Sequence, residues 1–304
     1  MKIAIIGAGF SGANIYSLLK KDNHDVVVFE KSRGAGGRCS TRYINDKKID
    51  HGTPFFKVNN KEFLDFCDIK VKENVLKKDN DIYYPIDGIN KICSSLIDIN
   101  DLVVNTKIIS CKKNNNKWSL KDSNGISYEK FDKLIITIPA KQILKLDIDI
   151  SLDIKEKLQS VEYDSIATLM VYSHTLQNLM NPKLVKNKDF KKVVDNSIKY
   201  NYQNFSSYLL HLNQELTNQQ SFKSKDEIEK YMLNKIFDET GIRLEEDFYI
   251  VPHFWKYAFV SKSLDDNYIF DNNSSLAICG DYFQGDNLEA SYISSKRLYE
   301  DKFR

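Results

Sequence analysis

Hydrophobic positions at the start of this chain fall into two short apolar runs around a helical repeat. Ile3 to Ile6 is unbroken and ends at Gly7; Ile15, Leu18 and Leu19 then recur on one side of a helix; Val26 to Phe29 ends at Glu30. A short apolar run closed by glycine reads as a buried strand, and the repeat between as an amphipathic helix, so residues 3–30 predict a β-α-β unit. Further on, Leu102–Val104, Lys107–Cys111 and Lys117–Lys121 predict short strands. Asn114–Asn116 and Asp122–Gly125 are their turns, and Leu134–Ile138 is a buried strand ended by Pro139. Pro85-Ile86-Asp87-Gly88 opens a predicted helix through Ile92 and Leu96, whereas residues 59–85 are polar and mixed. From about residue 150 the pattern changes. Ile166–Tyr172, Ser207–Leu212 and Tyr249–Val260 predict strands, and residues 175–205, rich in Lys and Asn, predict loops around a strand. Lys225–Thr240 predicts a helix with Ile228, Met232, Ile236 and Phe237 on its apolar face and Gly241 just past its end. Leu276–Asp281 predicts a strand ending in Gly-Asp, and Asn287 starts a helix toward Tyr299.

The turn of the first unit carries chemistry. Gly7, Gly9 and Gly12 form G-x-G-x-x-G between strand and helix, and Glu30 follows the second strand. Gly7 permits the tight turn, Gly9 lets a pyrophosphate approach the backbone, and Gly12 lets helix and strand pack closely. The phosphate charge meets free N–H groups, those of Phe10, Ser11 and Gly12, at the positive end of the helix dipole. Glu30 can accept both ribose hydroxyls. Strand, helix, second strand and acid agree on dinucleotide binding. The bland alternative is a glycine-rich turn in a flavodoxin-like sheet.

A second glycine cluster follows at once, Lys31-Ser32-Arg33-Gly34-Ala35-Gly36-Gly37-Arg38. An NAD domain needs only the first turn and the acid; this cluster brings further N–H groups and a cation to a diphosphate. Glu30, Arg33-Gly34, Gly36-Gly37-Arg38, Thr41-Arg42 and Asp50-His51-Gly52 together resemble the N-terminal signature of FAD-dependent oxidoreductases of the amine-oxidase superfamily, and within it the renalase-like flavoproteins. The resemblance is strong over residues 3–52 and 276–295. It implies an α/β fold: a Rossmann-like FAD-binding domain with a parallel sheet, from residues 1–57, 86–148 and 270–304, and a smaller α+β substrate domain from 58–85 and 149–269. It implies non-covalent FAD, with the adenosine ribose on Glu30, the diphosphate on Gly9–Gly12 and Gly36–Arg38, and backbone near the dinucleotide at Thr137. It also places Asp281 of Gly280-Asp281 on the ribityl chain and the helix start at Leu288-Glu289 at the flavin's pyrimidine edge.

The implied chemistry is hydride transfer from a small molecule to flavin N5, with oxygen as acceptor. Renalase-like proteins oxidise dihydro isomers of NAD(P), a substrate that needs no acid or base because hydride loss leaves an aromatic cation. Trp255 and Tyr257 alternate with Lys256 on a strand and face one side; they could stack on a nicotinamide, cage an amine, or fill the core. His51 could lie near the cofactor or make a structural hydrogen bond. The run Phe254-Trp255-Lys256-Tyr257-Ala258-Phe259-Val260 keeps the Trp, Tyr and Ala of those relatives but not their Arg and Pro, and Leu216 and Ser295 stand where relatives carry Trp and Gly. Two other readings stay open: a flavin amine oxidase or dehydrogenase, and a non-catalytic FAD- or NAD-binding redox sensor.

Composition narrows the remaining classes. The 304 residues suffice for two domains, and 44 Lys+Arg against 42 Asp+Glu, a net charge of +2, give no sign of a nucleic-acid partner. Five scattered cysteines without C-x-x-C, and His174, His211 and His253 without ligand spacing, point away from a metal or disulfide framework. With a strand starting almost at Met1 and no apolar run near the ~20 residues that cross a bilayer, a soluble cytoplasmic protein without a membrane partner is expected.

Overall fold

The computed structural model describes residues 1–174, 179, 182–244 and 248–304. The expected loop region 175–205 thus falls partly outside the described residues, at 175–178 and 180–181. Contacts divide the chain into two units. The first comprises Met1–Cys39, Phe55–Glu162 and Val260–Arg304; the second comprises Ser40–Pro54 and Tyr163–Phe259.

The first unit is built on a six-stranded sheet in the order Ile269–Asp271, Leu276–Ile278, Lys133–Ile136, Lys2–Ile6, Asp25–Phe29, Leu102–Val103. All neighbours run parallel except Ile269–Asp271, which is antiparallel to Leu276–Ile278. Ile3, Ala4 and Ile5 are fully buried, as a central strand covered on both faces requires. The helix Phe10–Lys21 connects the first two strands, and the C-terminal helix Leu288–Lys302 packs against it. The last parallel strand is separated from the N-terminal strand by Lys133–Ile136. A second sheet, Ser127–Phe131, Lys117–Asp122, Ile108–Asn114 and Asp147–Ile148, follows the expected turns.

Two stretches depart from the sequence pattern. Residues 59–85 hold a helix, Lys61–Lys72, capped by the Asn60 side chain, and the paired strands Leu76–Asp79 and Ile82–Pro85. Phe63, Cys67, Leu76 and Tyr83 enter the same core as Ile3, Ile5 and Ile15, so 58–85 packs within the first unit. The helix expected through Ile92 and Leu96 is a single turn, Lys91–Ser94.

The second unit has a four-stranded sheet ordered Phe190–Asp195, Ser206–Leu212, Glu162–Ser173, Phe248–Lys262, its first three strands antiparallel. Alternation divides its faces. Ala167, Leu169, Val171, Leu210 and Leu212 pack in one core with Ile228, Met232 and Ile236 of the helix Lys225–Thr240. Phe237, expected on that apolar face, is instead exposed, and Gly241 ends the helix at φ +71°. Thr168 and His211, paired in register, lie on the opposite face. The hairpin Thr41–Ile44 and Lys47–Asp50 also belongs to this unit, because the wholly buried Asp50 carboxylate accepts from Thr41 Oγ1, Lys199 Nζ and Tyr200 OH.

Candidate functional site

In the first unit the two glycine clusters meet. Gly9 and Gly36 form a parallel bridge, and Gly36 N–H donates to the Ala8 carbonyl at 2.9 Å. Each glycine has a distinct reason. A Cβ on Gly12 would stand 1.9 Å from the Gly7 oxygen, so only glycine lets the helix lie on the turn. Gly7 (φ +106°) and Gly37 (φ +58°) sit where L-residues are strained. At Gly36 a Cβ would lie 2.5 Å from the Cys39 carbonyl oxygen, and at Gly280 2.5 Å from the Tyr282 ring. Gly9 differs. Its φ of −71° suits any residue, and a Cβ would meet only the Gly37 Cα, at 4.0 Å. Neither conformation nor internal packing demands glycine at position 9.

Gly9 is also the N-cap of the helix Phe10–Lys21, and no side chain caps that end. The first intrahelical bond is Ala13 N–H to the Gly9 carbonyl, which leaves the Phe10, Ser11 and Gly12 N–H groups without an intrahelical acceptor. Phe10 itself packs in the core against Phe63 and Phe66, so what it offers a ligand is its backbone. Ser11 Oγ donates to the Ser291 carbonyl at 3.5 Å, and Asn14 Nδ2 donates to Ser295 Oγ at 2.8 Å. Ser295 therefore joins the two helices through a bond that glycine could not make.

The acid stands at the strand end beside this turn. Glu30 is 6% exposed; one oxygen accepts from Ala8 N–H at 2.9 Å and the other from Ser32 N–H at 2.8 Å. It braces both glycine segments, and each oxygen keeps a lone pair for a hydroxyl. Thr137 Oγ1 donates to the Gly7 carbonyl at 2.9 Å, which ties the strand end at 133–136 to the same turn. Arg38 Nη2 pairs with Asp281 Oδ1 at 2.6 Å, joining the glycine cluster to the Gly280-Asp281 strand end. Lys31 bonds Gln142 Oε1 at 3.1 Å, and Arg33 is exposed. Leu288 lies in the core, and the Glu289 carboxylate accepts from the Asn59 and Asn60 N–H groups at 2.8 and 2.7 Å. With both side chains engaged in the fold, what these two residues have left to offer is the backbone N–H of a helix start.

In the second unit the candidate substrate residues separate. His51 stacks on Trp255, ring centroids 5.5 Å apart at 28°, and His253 sits edge-on to both at 5.4 and 4.5 Å. Trp255 Nε1 donates to the His51 carbonyl at 3.1 Å, and so does His211 Nε2 at 3.2 Å. Tyr257 is not in this cluster; its ring meets Tyr163 edge-on at 5.3 Å. Lys256 is exposed. Burial, reinforced by His253, brings His51 down to about 4, against the opposing pull of Asp50 and Ile49. Burial also brings His211 down to about 3 and lowers His253. Burial thus favours the uncharged form of all three imidazoles. Sequence reasoning missed the pairing of His211 with His51 and of Lys199 and Tyr200 with Asp50, because no spacing rule joins residues so far apart in the chain.

Residues 5–69 match the family model described as the NAD(P)-binding Rossmann-like domain. Over 138 residues the chain is 28% identical to a 4-hydroxybenzoate brominase (decarboxylating) of Marinomonas mediterranea; the match takes in 44% of this chain and 25% of the brominase, so the chain spans a quarter of that relative's length. The whole fold is shared more widely. A structure of an Exiguobacterium protein assigned as a protoporphyrinogen oxidase superposes with a TM-score of 0.71 at 10% identity, covering 98% of both chains. A redesigned putrescine oxidase superposes with a TM-score of 0.67 at 12% identity, again over 98% of each chain. This chain thus has a mixed α/β fold with a Rossmann-like parallel sheet, shared with oxidase structures across nearly its full length.

Proposed function

We propose that this chain is an FAD-dependent oxidoreductase that holds FAD non-covalently and takes a hydride from a small organic substrate, with oxygen as final acceptor. The observation that carries the reading is Gly9: a glycine that the fold does not need, on an uncapped helix end, against a second glycine segment. A ligand's approach to the backbone accounts for it, and a diphosphate is what N–H groups without an intrahelical acceptor would hold. The two segments together, with the Arg38–Asp281 pair beside them, favour FAD over a plain nicotinamide dinucleotide. The names of the superposing oxidases and of the matched Rossmann model agree with that class.

FAD, when bound, supplies the two-electron acceptor. The chain's own residues divide the remaining work. The Phe10, Ser11 and Gly12 N–H groups and the helix dipole would hold the diphosphate, Glu30 would accept ribose hydroxyls, Asp281, paired with Arg38, would meet the polyol chain, and the backbone at Leu288-Glu289 would offer a second helix start. Among substrates a dihydronicotinamide isomer fits best. Its oxidation needs no proton transfer from the protein, and the neutral His51–Trp255 pair offers a flat, uncharged face. An amine would need to lose its proton, and in that cluster the proton would have to go to a histidine that burial has made a weak base.

The test is anaerobic mixing. The purified protein is expected to be yellow, and 2- and 6-dihydro isomers of NAD(P) are expected to bleach the flavin, whereas primary amines are not. A protein that neither copurifies with flavin nor can be reconstituted with it would sink the central claim. Bleaching by amines alone would move the activity to the amine-oxidase class, and bleaching by neither would leave a binding protein.

A further inference from the structure

One backbone carbonyl in the second unit gathers side chains from two strands. The His51 oxygen accepts from Trp255 Nε1 at 3.1 Å and from His211 Nε2 at 3.2 Å. The acceptor is a carbonyl, so the His211 nitrogen that faces it carries the proton and the tautomer is set. His211 is 6% exposed, with Thr168 and Lys192 in register on either side of it. Its bond to this cluster runs through the His51 backbone. Those rings, His51, His253 and Trp255, are half-buried and mutually packed, with centroids 4.5 to 5.5 Å apart.

We infer that His211 is a positioning residue: through the shared His51 carbonyl it holds His51, His253 and Trp255 as a shelf for a flat heteroaromatic ring that carries or develops positive charge. This rests on the dihydronicotinamide reading above and deepens it. Oxidation of a dihydropyridine turns a neutral ring into a pyridinium cation. The face of an indole attracts a cation, more so when water is excluded. The imidazoles add flat polarisable surface and no charge of their own, and at His51 the pull of Asp50 outweighs the opposing push of Arg42. Two donors on one oxygen also couple the parts: a shift of the His51 backbone displaces the stacked ring and releases the indole together.

The chain has two tryptophans. Trp118 is 1% exposed and lies in the other unit, so Trp118→Phe leaves Trp255 as a sole reporter. The probe is 1-methylnicotinamide, a pyridinium cation that quenches indole emission on contact. With His at 211, saturable quenching is expected. His211→Leu should weaken the probe about tenfold and shift the emission maximum. His211→Gln, which can present an N–H to the same carbonyl, should return affinity to within threefold. If the Leu variant folds poorly by circular dichroism, His211→Asn, too short to reach the carbonyl, takes its place. Absence of saturable quenching, a Leu variant that behaves as His, or a loss that Gln does not reverse would overturn the inference. Turnover of dihydronicotinamides is assayed separately. Rescue by Gln without turnover would leave the shelf standing and remove the proposed reaction; turnover indifferent to residue 211 would remove the shelf.

Discussion

Gly9 and Gly12 make opposite predictions although they belong to one motif. Alanine at 12 would put its Cβ 1.9 Å from the Gly7 oxygen and 2.8 Å from Thr137 Oγ1. An ordinary carbon–oxygen contact lies at about 3.3 Å, so the helix would have to retreat by roughly 1.4 Å from a turn fixed by Glu30 and Thr137. The obstructing atom is backbone, and no rotamer change relieves it. Overpacking by a single group costs about 1–3 kcal/mol, and this geometry belongs at the top of that range, a fall in melting temperature of about 5 °C. Alanine at 9 meets no such obstacle. Its φ of −71° is open to alanine and the nearest atom is 4.0 Å away; the gain of about 0.4–1 kcal/mol from a less flexible unfolded chain is set against the poorer N-cap that alanine makes, so the apoprotein should stay within about 1 kcal/mol of the parent. The methyl would, however, stand on the surface offered to the diphosphate. Losing one charged hydrogen bond there costs about 1.5–3 kcal/mol, a ten- to hundredfold weaker FAD affinity by the usual conversion of about 1.4 kcal/mol per tenfold. Calorimetric melting of the apoproteins and FAD titration followed by flavin absorbance read the two effects separately. Gly9→Ala binding FAD within threefold of the parent, at unchanged stability, would refute the reasoning that assigns this glycine to a ligand.

Three further outcomes follow from named contacts. Glu30→Ala should weaken FAD by an amount on the order of 1–3 kcal/mol and also destabilise the apoprotein, because Ala8 and Ser32 N–H groups lose their acceptor; an affinity unchanged in isothermal titration would mean that the acid does not meet the ribose. Lys199→Met strands the buried Asp50 carboxylate and should cost about 3–5 kcal/mol in urea unfolding followed by Trp255 emission, while Asp50→Leu combined with Lys199→Met should recover much of it. His211 titrates at about 3 in the fold against an ordinary 6.5, so the unfolded chain binds the extra proton between those values and stability falls as pH drops through 6.5. The loss between pH 7 and pH 5 should be about 2 kcal/mol for this residue, and His211→Gln should remove that share of the slope; a parent stability flat over this interval would contradict a neutral buried histidine.

The first unit was legible because its motifs are local. Gly7, Gly9, Gly12 and Glu30 lie within one β-α-β unit, and the apolar runs that flank them are central strands whose burial leaves no ambiguity of face. The second glycine cluster and Gly280-Asp281 could be attached through resemblance, and the Arg38–Asp281 bond now gives that attachment a physical form. The helix Lys61–Lys72 escaped notice for the opposite reason. Its buried positions, Phe63 and Cys67, are interrupted by charge, and Lys70 is drawn inward by Glu73, so its periodicity is faint. Phe237 was misplaced because a core already filled by Ile228, Met232 and Ile236 leaves that side of the helix to solvent.

The candidate substrate residues were harder because alternation along a strand says which side chains share a face, not which of them meet. Trp255 and Tyr257 share one, yet Trp255 turns to His51 and Tyr257 to Tyr163. What separates them is a hairpin from the beginning of the chain, whose His51 carbonyl captures the indole N–H and leaves the phenol to another partner. That hairpin is held in turn by Asp50, one residue earlier, through bonds from Lys199 and Tyr200. A carboxylate with no exposure thus fixes the backbone whose next carbonyl orients Trp255, and the placement of the ring depends on an ion pair that does not touch it. Substitutions at Asp50 or Lys199 should therefore alter Trp255 emission together with stability. Substitutions at Tyr257 should alter neither Trp255 emission nor the binding of a pyridinium probe.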